Sequence, residues 1–237
     1  MNWPDYPIQK LDFKHKNYPE ILKEIKNPPK TLFFRGNLGQ KIFKKSLSVV
    51  GTRRMTSYGK MAVDKLISGL VPQKVTIISG FMYGIDSEAH QRCLEYGGIT
   101  VAVLGSGLNV VYPPENHKLY QQILKSEGAV ISEYPPETKP QLWTFPQRNR
   151  IVAGLASLGV LIIEAGERSG SLITARLARE QGKKVFAVPG PITSSVSAGT
   201  NLLIKNHLAK MILEPEDILG KKISTPLTFC IQSTFSN

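Results

Sequence analysis

The chain has 237 residues, and its 30 Lys and Arg against 18 Asp and Glu give a formal net charge of +12. Hydrophobic residues make up 41% and charged residues 20%, which is typical of a globular protein and excludes a disordered chain. Two cysteines exclude a disulfide scaffold and a cysteine-rich zinc module. We expect a cytoplasmic protein with no secretory signal, no membrane span and an anionic partner.

The predicted elements follow one another in two blocks. Residues 1–45 are a lead-in that packs on the core, with a short helix at 18–25 and a strand at 31–35. Residues 46–219 form the core, where predicted strands at 47–50, 75–79, 99–104, 129–132, 160–163, 184–188 and 210–213 alternate with predicted helices at 57–70, 85–96, 116–126, 147–157, 171–181 and 201–207. Residues 220–237 are expected to be a disordered tail.

This alternation predicts the fold class. Continuous apolar strands separated by amphipathic helices are typical of an α/β protein with a doubly wound, mostly parallel sheet and helices on both faces. The prediction is therefore an extended Rossmann-like fold. Ligands of such sheets bind beyond the carboxyl ends of the strands, so the turns after the strands hold the candidate site.

The turn after the first core strand combines a glycine, hydroxyls and two adjacent arginines. The residues concerned are Gly51, Thr52, Arg53, Arg54, Ser57 and Tyr58. Backbone N–H groups at a helix start and paired guanidiniums suit a phosphate group. The alternative is a capped turn with two solvated arginines, and we favour phosphate binding.

The next two turns give weaker signals. After Ser79, the two glycines Gly80 and Gly84 would let the backbone approach a ligand closely. Asp86 and His90, four residues apart, are explained about as well by a cap and a helical contact as by an acid–base pair. The third turn contains Gly105, Ser106 and Gly107, but Val110 replaces the third glycine of a dinucleotide fingerprint. NAD binding is weakly supported, and the sequence contains no P-loop.

A proline-rich excursion after the fourth core strand is predicted to be a non-helical loop that leads to a helix start. It delivers Phe145, Arg148, Asn149 and Arg150. Aromatic rings beside arginines are what single-stranded nucleic acid uses, for base stacking and for backbone charge. A core phenylalanine with a solvated arginine pair is an equally open interpretation.

The last turns add a second phosphate cradle. Ser169, Gly170 and Ser171 precede a predicted helix, and Asn201 can cap a helix or contact a ligand. The four histidines are scattered and provide no metal-ligand spacing. Cys93 is expected to be a small buried hydrophobe within a helix.

Taken in order, these turns resemble the motifs of the DprA (Smf) family of DNA-processing proteins of natural transformation. The matching segments, spread over residues 18–213, are 50–54 with 57–59, 79–80 with 84–86 and 89–90, 102–107 with 112–113 and 116, 132–135, 145–155, 164–165 with 169–175, 187–190 and 199–204. Eight successive motifs, in order and at natural spacing, argue against a chance match.

The resemblance implies a non-enzymatic function without a cofactor. Such proteins bind incoming single-stranded DNA as homodimers, displace or cooperate with single-strand-binding protein, and load RecA. By position, Arg53 and Arg54 match the phosphate-gripping arginines of the family. Residues 169–171 match its second anion loop, and Phe145, Arg148 and Arg150 match the rim of its pocket.

Two differences and one rival hypothesis accompany the resemblance. The helical domain and the winged-helix-like domain of fuller members are not recognised in this sequence, and we expect single-strand binding without them.

The rival is a nucleoside-monophosphate phosphoribohydrolase of the LOG family. Thr174 stands where that family has its glutamate, and a hydroxyl cannot act as the carboxylate base. A small-nucleotide sensor that uses the same pocket is a third alternative.

Overall fold

One mixed sheet organises the chain in the computed structural model, which describes residues 5–221 and 223. The strands are β1 (Gln9–Asp12), β2 (Thr31–Gly36), β3 (Ser46–Val50), β4 (Thr76–Ser79), β5 (Thr100–Val103), β6 (Ala129–Ser132), β7 (Gly159–Ile162), β8 (Val185–Ala187) and β9 (Lys210–Met211). The helices are α1 (Glu20–Lys23), α2 (Ser57–Leu70), α3 (Ile85–Glu95), α4 (His117–Lys125), α5 (Thr144–Gly154), α6 (Gly170–Glu180), α7 (Ala198–Lys205) and α8 (Pro215–Leu219).

The order of the strands confirms the predicted doubly wound topology. It is β1-β2-β6-β5-β4-β3-β7-β8-β9, and all pairs are parallel except β1 with β2 and β2 with β6. From β3 the chain proceeds outward through β4, β5 and β6, and then returns to place β7 on the other side of β3. The gap between β3 and β7 is therefore the topological switch point, where such sheets bind ligands.

Apolar side chains cover both faces of the sheet. On one face α1, α5 and α6 bury residues such as Leu22, Val152 and Ala178. On the other face α2, α3 and α8 bury a second cluster, and α4 covers β5 and β6 with a third. The inner strands β3 to β7 are buried on both faces, which explains their continuous apolar sequences.

The lead-in contributes two strands to this sheet. Its strand β2 pairs antiparallel with β6, and β1 pairs with β2 as the edge strand. Arg150 on α5 also binds the lead-in. It donates a hydrogen bond to the carbonyl oxygen of Asn27 at 2.8 Å and forms a bidentate ion pair with Glu133, at 2.6 and 2.7 Å.

The sequence prediction differs from the structure at several elements, among them α7, which begins at Ala198 and not at residue 201. Helix α5 begins three residues earlier than predicted. Pro146 lies in its first turn, where the backbone N–H that proline lacks would have no partner within the helix. Strand β1 was not predicted, since only Leu11 among its four residues is buried. Helix α8 was not predicted either, although Glu214 and Asp217 form a capping box around its start.

In the described part of the chain, no helix is both long enough and apolar enough to cross a bilayer. The expected disordered tail at 220–237 lies almost entirely outside the described residues.

Candidate nucleic-acid interface

A cleft of about 1070 Å³ opens at the switch point, where the turns after β3, β4 and β7 meet the start of α5. Ten of the predicted site residues line it: Gly51, Thr52, Arg53, Arg54, Phe145, Arg148, Asn149, Ser169, Gly170 and Ser171. Residues that the prediction did not single out also line it, among them Met82, Tyr112, Leu142, Glu167, Arg168, Ser195 and Val196. The sheet topology therefore brings turns that are far apart in sequence into one site.

The two arginines after β3 are exposed at the cleft. Neither Arg53 nor Arg54 lies within ion-pair distance of a carboxylate in residues 5–221. The Arg53 guanidinium lies over the ring of Phe145, with 5.5 Å between its carbon and the ring centroid. An arginine stacked on an aromatic ring keeps its hydrogen-bond donors directed outward. The pair is thus available to an anion.

The start of α2, by contrast, is already occupied by an anion of the protein itself. The buried Glu164 carboxylate accepts hydrogen bonds from the backbone N–H of Thr56 at 3.0 Å and from its hydroxyl at 2.5 Å. The Thr56 hydroxyl in turn caps the helix by accepting from the Gly59 N–H at 3.2 Å. A carboxylate that follows another strand therefore holds the capping residue of α2, next to the place where the sequence predicts a phosphate.

The free helix start in the cleft belongs to α6. Ser169 caps this helix, with its hydroxyl 3.3 Å from the backbone nitrogen of Ser171 and 2.8 Å from the Ser171 hydroxyl. Gly170 is exposed, and a side chain built there would meet no atom within 4 Å. Arg168, also exposed, immediately precedes the cap. These residues line the cleft, where a helix N-terminus and an adjacent positive charge favour an anion.

A buried guanidinium forms the floor. Arg148 is only 3% exposed, and it donates hydrogen bonds to the carbonyl oxygens of Gly80 and Val103, just after β4 and at the end of β5. A third bond, from Nε to the Asn149 amide oxygen, measures 3.2 Å. The predicted position of Arg148 on the rim is therefore wrong: its donors hold the ends of two strands.

Asp86 is the carboxylate that accompanies Arg148 in the floor. A Cβ placed on Gly80 would lie 2.7 Å from its Oδ2 and 2.8 Å from the Arg148 guanidinium carbon, so only glycine leaves room for both. Burial raises the pKa of the Asp86 carboxyl to about 6, and the Arg148 charge opposes that rise. Burial likewise lowers the pKa of Arg148 to about 10. At neutral pH both groups are charged.

An aromatic wall stands beside the arginines. Phe145 lies in the first turn of α5, not in a non-helical loop as predicted, and its ring centroid is 5.7 Å from that of Tyr112. Gly105 makes room for Phe145, because a Cβ there would lie 2.8 Å from Cδ1 of the ring. Leu142, 92% exposed, extends this apolar surface at the mouth of the cleft.

Nine predicted site residues do not line the cleft: Ser57, Tyr58, Ser79, Gly80, Gly105, Ser106, Gly107, Arg150 and Asn201. Several of them hold the surrounding turns. The Ser79 hydroxyl donates to the carbonyl of Val49, Tyr58 donates to that of Pro189, and Asn201 exchanges two bonds with the backbone of Gly190. These polar side chains are bound within the protein, so they position the turns rather than face a ligand.

Only one member of the candidate acid–base pair, Asp86, lines the cleft, and His90 does not. His90 is fully buried, lies 2.6 Å from the Thr100 hydroxyl, and has its pKa lowered to about 3 by burial. The Arg148 charge acts on both side chains, lowering the pKa of each. Cys93 is buried as expected, and burial raises the pKa of its thiol to about 12. In the described residues no group of three or more potential ligand side chains is placed to hold a metal ion.

The fold and the cleft define a Rossmann-like α/β protein with exposed arginines at its topological switch point. The model of the family described as DNA recombination-mediator protein A matches residues 9–222, and the chain belongs to this DprA/Smf family. The resemblance drawn from the eight motifs is thereby confirmed.

Named relatives cover most of this chain. DNA processing protein DprA of Bacillus subtilis is 41% identical over 211 residues, which are 89% of this chain and 70% of that protein. Protein Smf of Synechocystis is 41% identical over 214 residues, again 89% of this chain. This chain spans only 53% of the Synechocystis protein.

Two solved structures share the architecture. The X-ray structure of DprA from Streptococcus pneumoniae has a TM-score of 0.83 at 40% identity, over 92% of this chain and 75% of the other. A structure of DNA processing protein A from Helicobacter pylori has a TM-score of 0.80 at 30% identity, over 91% and 95%. That second structure is described as giving insight into the single-stranded DNA binding mode of its protein.

We predict that Arg148→Ala lowers the free energy of unfolding by about 3–5 kcal/mol, because it leaves the buried carbonyl oxygens of Gly80 and Val103 without donors and removes the positive charge that stabilises the Asp86 carboxylate. Arg168→Ala, at an exposed residue of the same cleft, should change it by less than about 0.5 kcal/mol. Guanidinium denaturation at pH 7 measures both. Similar small losses in the two variants would contradict the anchoring role of Arg148.

The raised pKa of Asp86 predicts a pH dependence of stability. Its folded-state pKa of about 6 lies above the unfolded value of about 4, so the folded protein binds the proton more tightly. Its contribution to stability is fully present below pH 4 and declines by up to about 3 kcal/mol as pH rises to 6. The unfolding free energy of the wild type minus that of Asp86→Asn should therefore fall over this range in urea titrations. A difference that rises would refute the assignment.

Proposed function

We propose that the chain binds single-stranded DNA in the cleft, without catalysis, and delivers the strand to RecA for homologous recombination. The observation that carries this proposal is the pair of exposed, unpaired arginines, Arg53 and Arg54, beside the Phe145 ring. Phosphates of the strand bind the arginine pair and the start of α6, and an unpaired base stacks on the aromatic wall. The described binding of single-stranded DNA by the Helicobacter pylori relative supports the same substrate class.

A single strand suits this cleft better than a duplex. The cleft is concave and enclosed by turns, and its aromatic wall needs bases whose faces are free. Phosphate contacts position a strand but carry little sequence information, so binding should depend weakly on sequence and strongly on salt. The +12 net charge favours association with any polyanion, and the cleft gives the preference for unpaired strands.

The contacts of the acidic residues argue against the rival hydrolase. Thr174 is buried and does not line the cleft, and Glu164 is bound to the start of α2. Among the described residues only Asp86 and Glu167 bring carboxylates to the cleft lining. Asp86 is buried and accepts a hydrogen bond from the Met82 N–H, and Glu167 lies in the turn after β7, seven residues before the Thr174 position at which the hydrolases have their glutamate.

The partners of the proposed function are RecA, single-strand-binding protein and a second copy of this chain. For the second copy, the exposed apolar side chains of Leu202, Met211 and Leu213 near the β9 edge offer a surface. Apolar residues gathered on an exposed edge are a common basis for association between subunits. The proposed place of action is the cytoplasm.

We predict that Arg54→Glu weakens the binding of labelled oligo-dT about ten-fold and lowers the slope of log affinity against log salt by about one. Fluorescence anisotropy at low and moderate salt, with a matching duplex and with AMP as competitor, measures this. Lys184→Glu is the matched control, because it makes the same charge change at an exposed residue just before β8. This residue lies at the amino ends of the parallel strands, whereas the cleft lies at their carboxyl ends.

Unchanged binding by a folded Arg54→Glu variant would exclude the cleft as the site. Equal affinity for the duplex would contradict the single-strand preference. Release of adenine from AMP, or competition by AMP at micromolar concentration, would favour the hydrolase or the nucleotide sensor instead.

A further inference from the structure

A second groove lies on the same side of the sheet as the cleft, beyond the carboxyl ends of the parallel strands. It has a volume of about 870 Å³ and is lined by Lys10, Phe13, Asn27, Pro28, Pro29, Lys30, Thr31, Phe33, Glu133, Pro135 and Arg150. Strand β6 ends here, at Ser132, and β2 begins here because the two strands are antiparallel. The groove therefore opens beyond the carboxyl end of β6, just as the cleft opens beyond the carboxyl ends of β3 and β7.

The walls of this groove are aromatic and apolar, and its rim is basic. Phe13 and Phe33 are half-buried, so part of each ring is accessible. Lys30 is exposed and forms no ion pair with an acid in the described residues. Lys10 lies opposite Phe33 across the β1–β2 pair, and its ion pair with Asp12 is mostly exposed and therefore weak. Rings beside exposed ammonium groups are suited to unpaired bases and phosphates.

The charge around the groove favours an anionic occupant. Residues 1–45 contain ten Lys and Arg and four Asp and Glu, a net charge of +6 and thus half of the excess of the whole chain. The one acidic residue of the lining, Glu133, is neutralised by its bidentate ion pair with Arg150. The field at the rim is therefore set by lysines.

The groove and the cleft are adjacent. Neighbouring residues of α5, Asn149 and Arg150, line the cleft and the groove respectively. Strands β3 and β6 are three places apart in the sheet, which at the usual strand spacing is roughly 15 Å. A strand held in the cleft can reach the groove within a few nucleotides.

We propose that this groove is a second binding site for the same single strand, which continues from the cleft past α5 onto the lead-in. Its phosphates contact Lys30 and Lys10, and a base stacks on Phe33. The inference rests on the proposed function and deepens it, since it gives the strand a direction and the protein a minimum site length.

The test compares a short oligo-dT of about 4 nucleotides, which fills only one site, with a long one of about 16, the two ends of the usual range for single-strand modules. Lys30→Glu should weaken binding of the long strand roughly five-fold and lower its salt slope by about one, and leave the short strand unchanged. Phe33→Leu, which keeps the apolar volume and removes the ring, should also weaken only the long strand. Lys184→Glu serves again as the control.

The outcomes separate this inference from the proposed function. If Lys30→Glu binds the long strand as Lys184→Glu does, the second groove does not bind DNA, although the cleft still can. Equal losses for short and long strands would also overturn it, because they would indicate a general field effect. If the wild type binds neither strand, the proposed function itself fails, and this inference with it.

Discussion

The cleft depends on one buried guanidinium. Parallel strands end with backbone carbonyls that no further strand residue can satisfy, and at the ends of β4 and β5 the donors come from Arg148. An arginine can do this because its planar fork presents several donors at once. Its charge would be costly in a dry interior, and Asp86 compensates it. The floor so formed fixes α5, and with it the aromatic ring of Phe145.

The distribution of acids explains why the cleft can attract an anion. Two carboxylates that lie close to the site are bound within the protein, because Glu164 accepts hydrogen bonds at the start of α2 and Glu133 pairs with Arg150. The arginines after β3 and before α6 have no such partners among the described residues. A protein with net charge +12 would attract polyanions at many points, but only unpaired cations in a concave site can hold a phosphate in one place.

The periodicity of the sequence predicted the doubly wound sheet and the edge at which ligands bind, because apolar strands and glycine-rich turns are local features. The direction in which an individual side chain points is not a local feature, because it depends on where a helix begins and on contacts between distant residues. Helix α5 begins at Thr144 rather than Gln147, and at about 100° per residue such details decide which side chain faces inward. Glu164 reaches α2 from far away in the chain, and no spacing rule reveals that. Tyr112 and Arg168 could have been found, since both lie in turns that follow strands.

In the proposed complex, unpaired bases lie against the aromatic wall beside the arginine pair. Photo-cross-linking of an oligo-dT strand that carries 5-iodouracil, followed by mass spectrometry of the peptides, tests this most directly. We expect cross-links to Phe145 or Tyr112 that an excess of unlabelled single strand removes and an excess of duplex does not. Cross-links confined to residues away from the cleft and the groove would contradict this expectation.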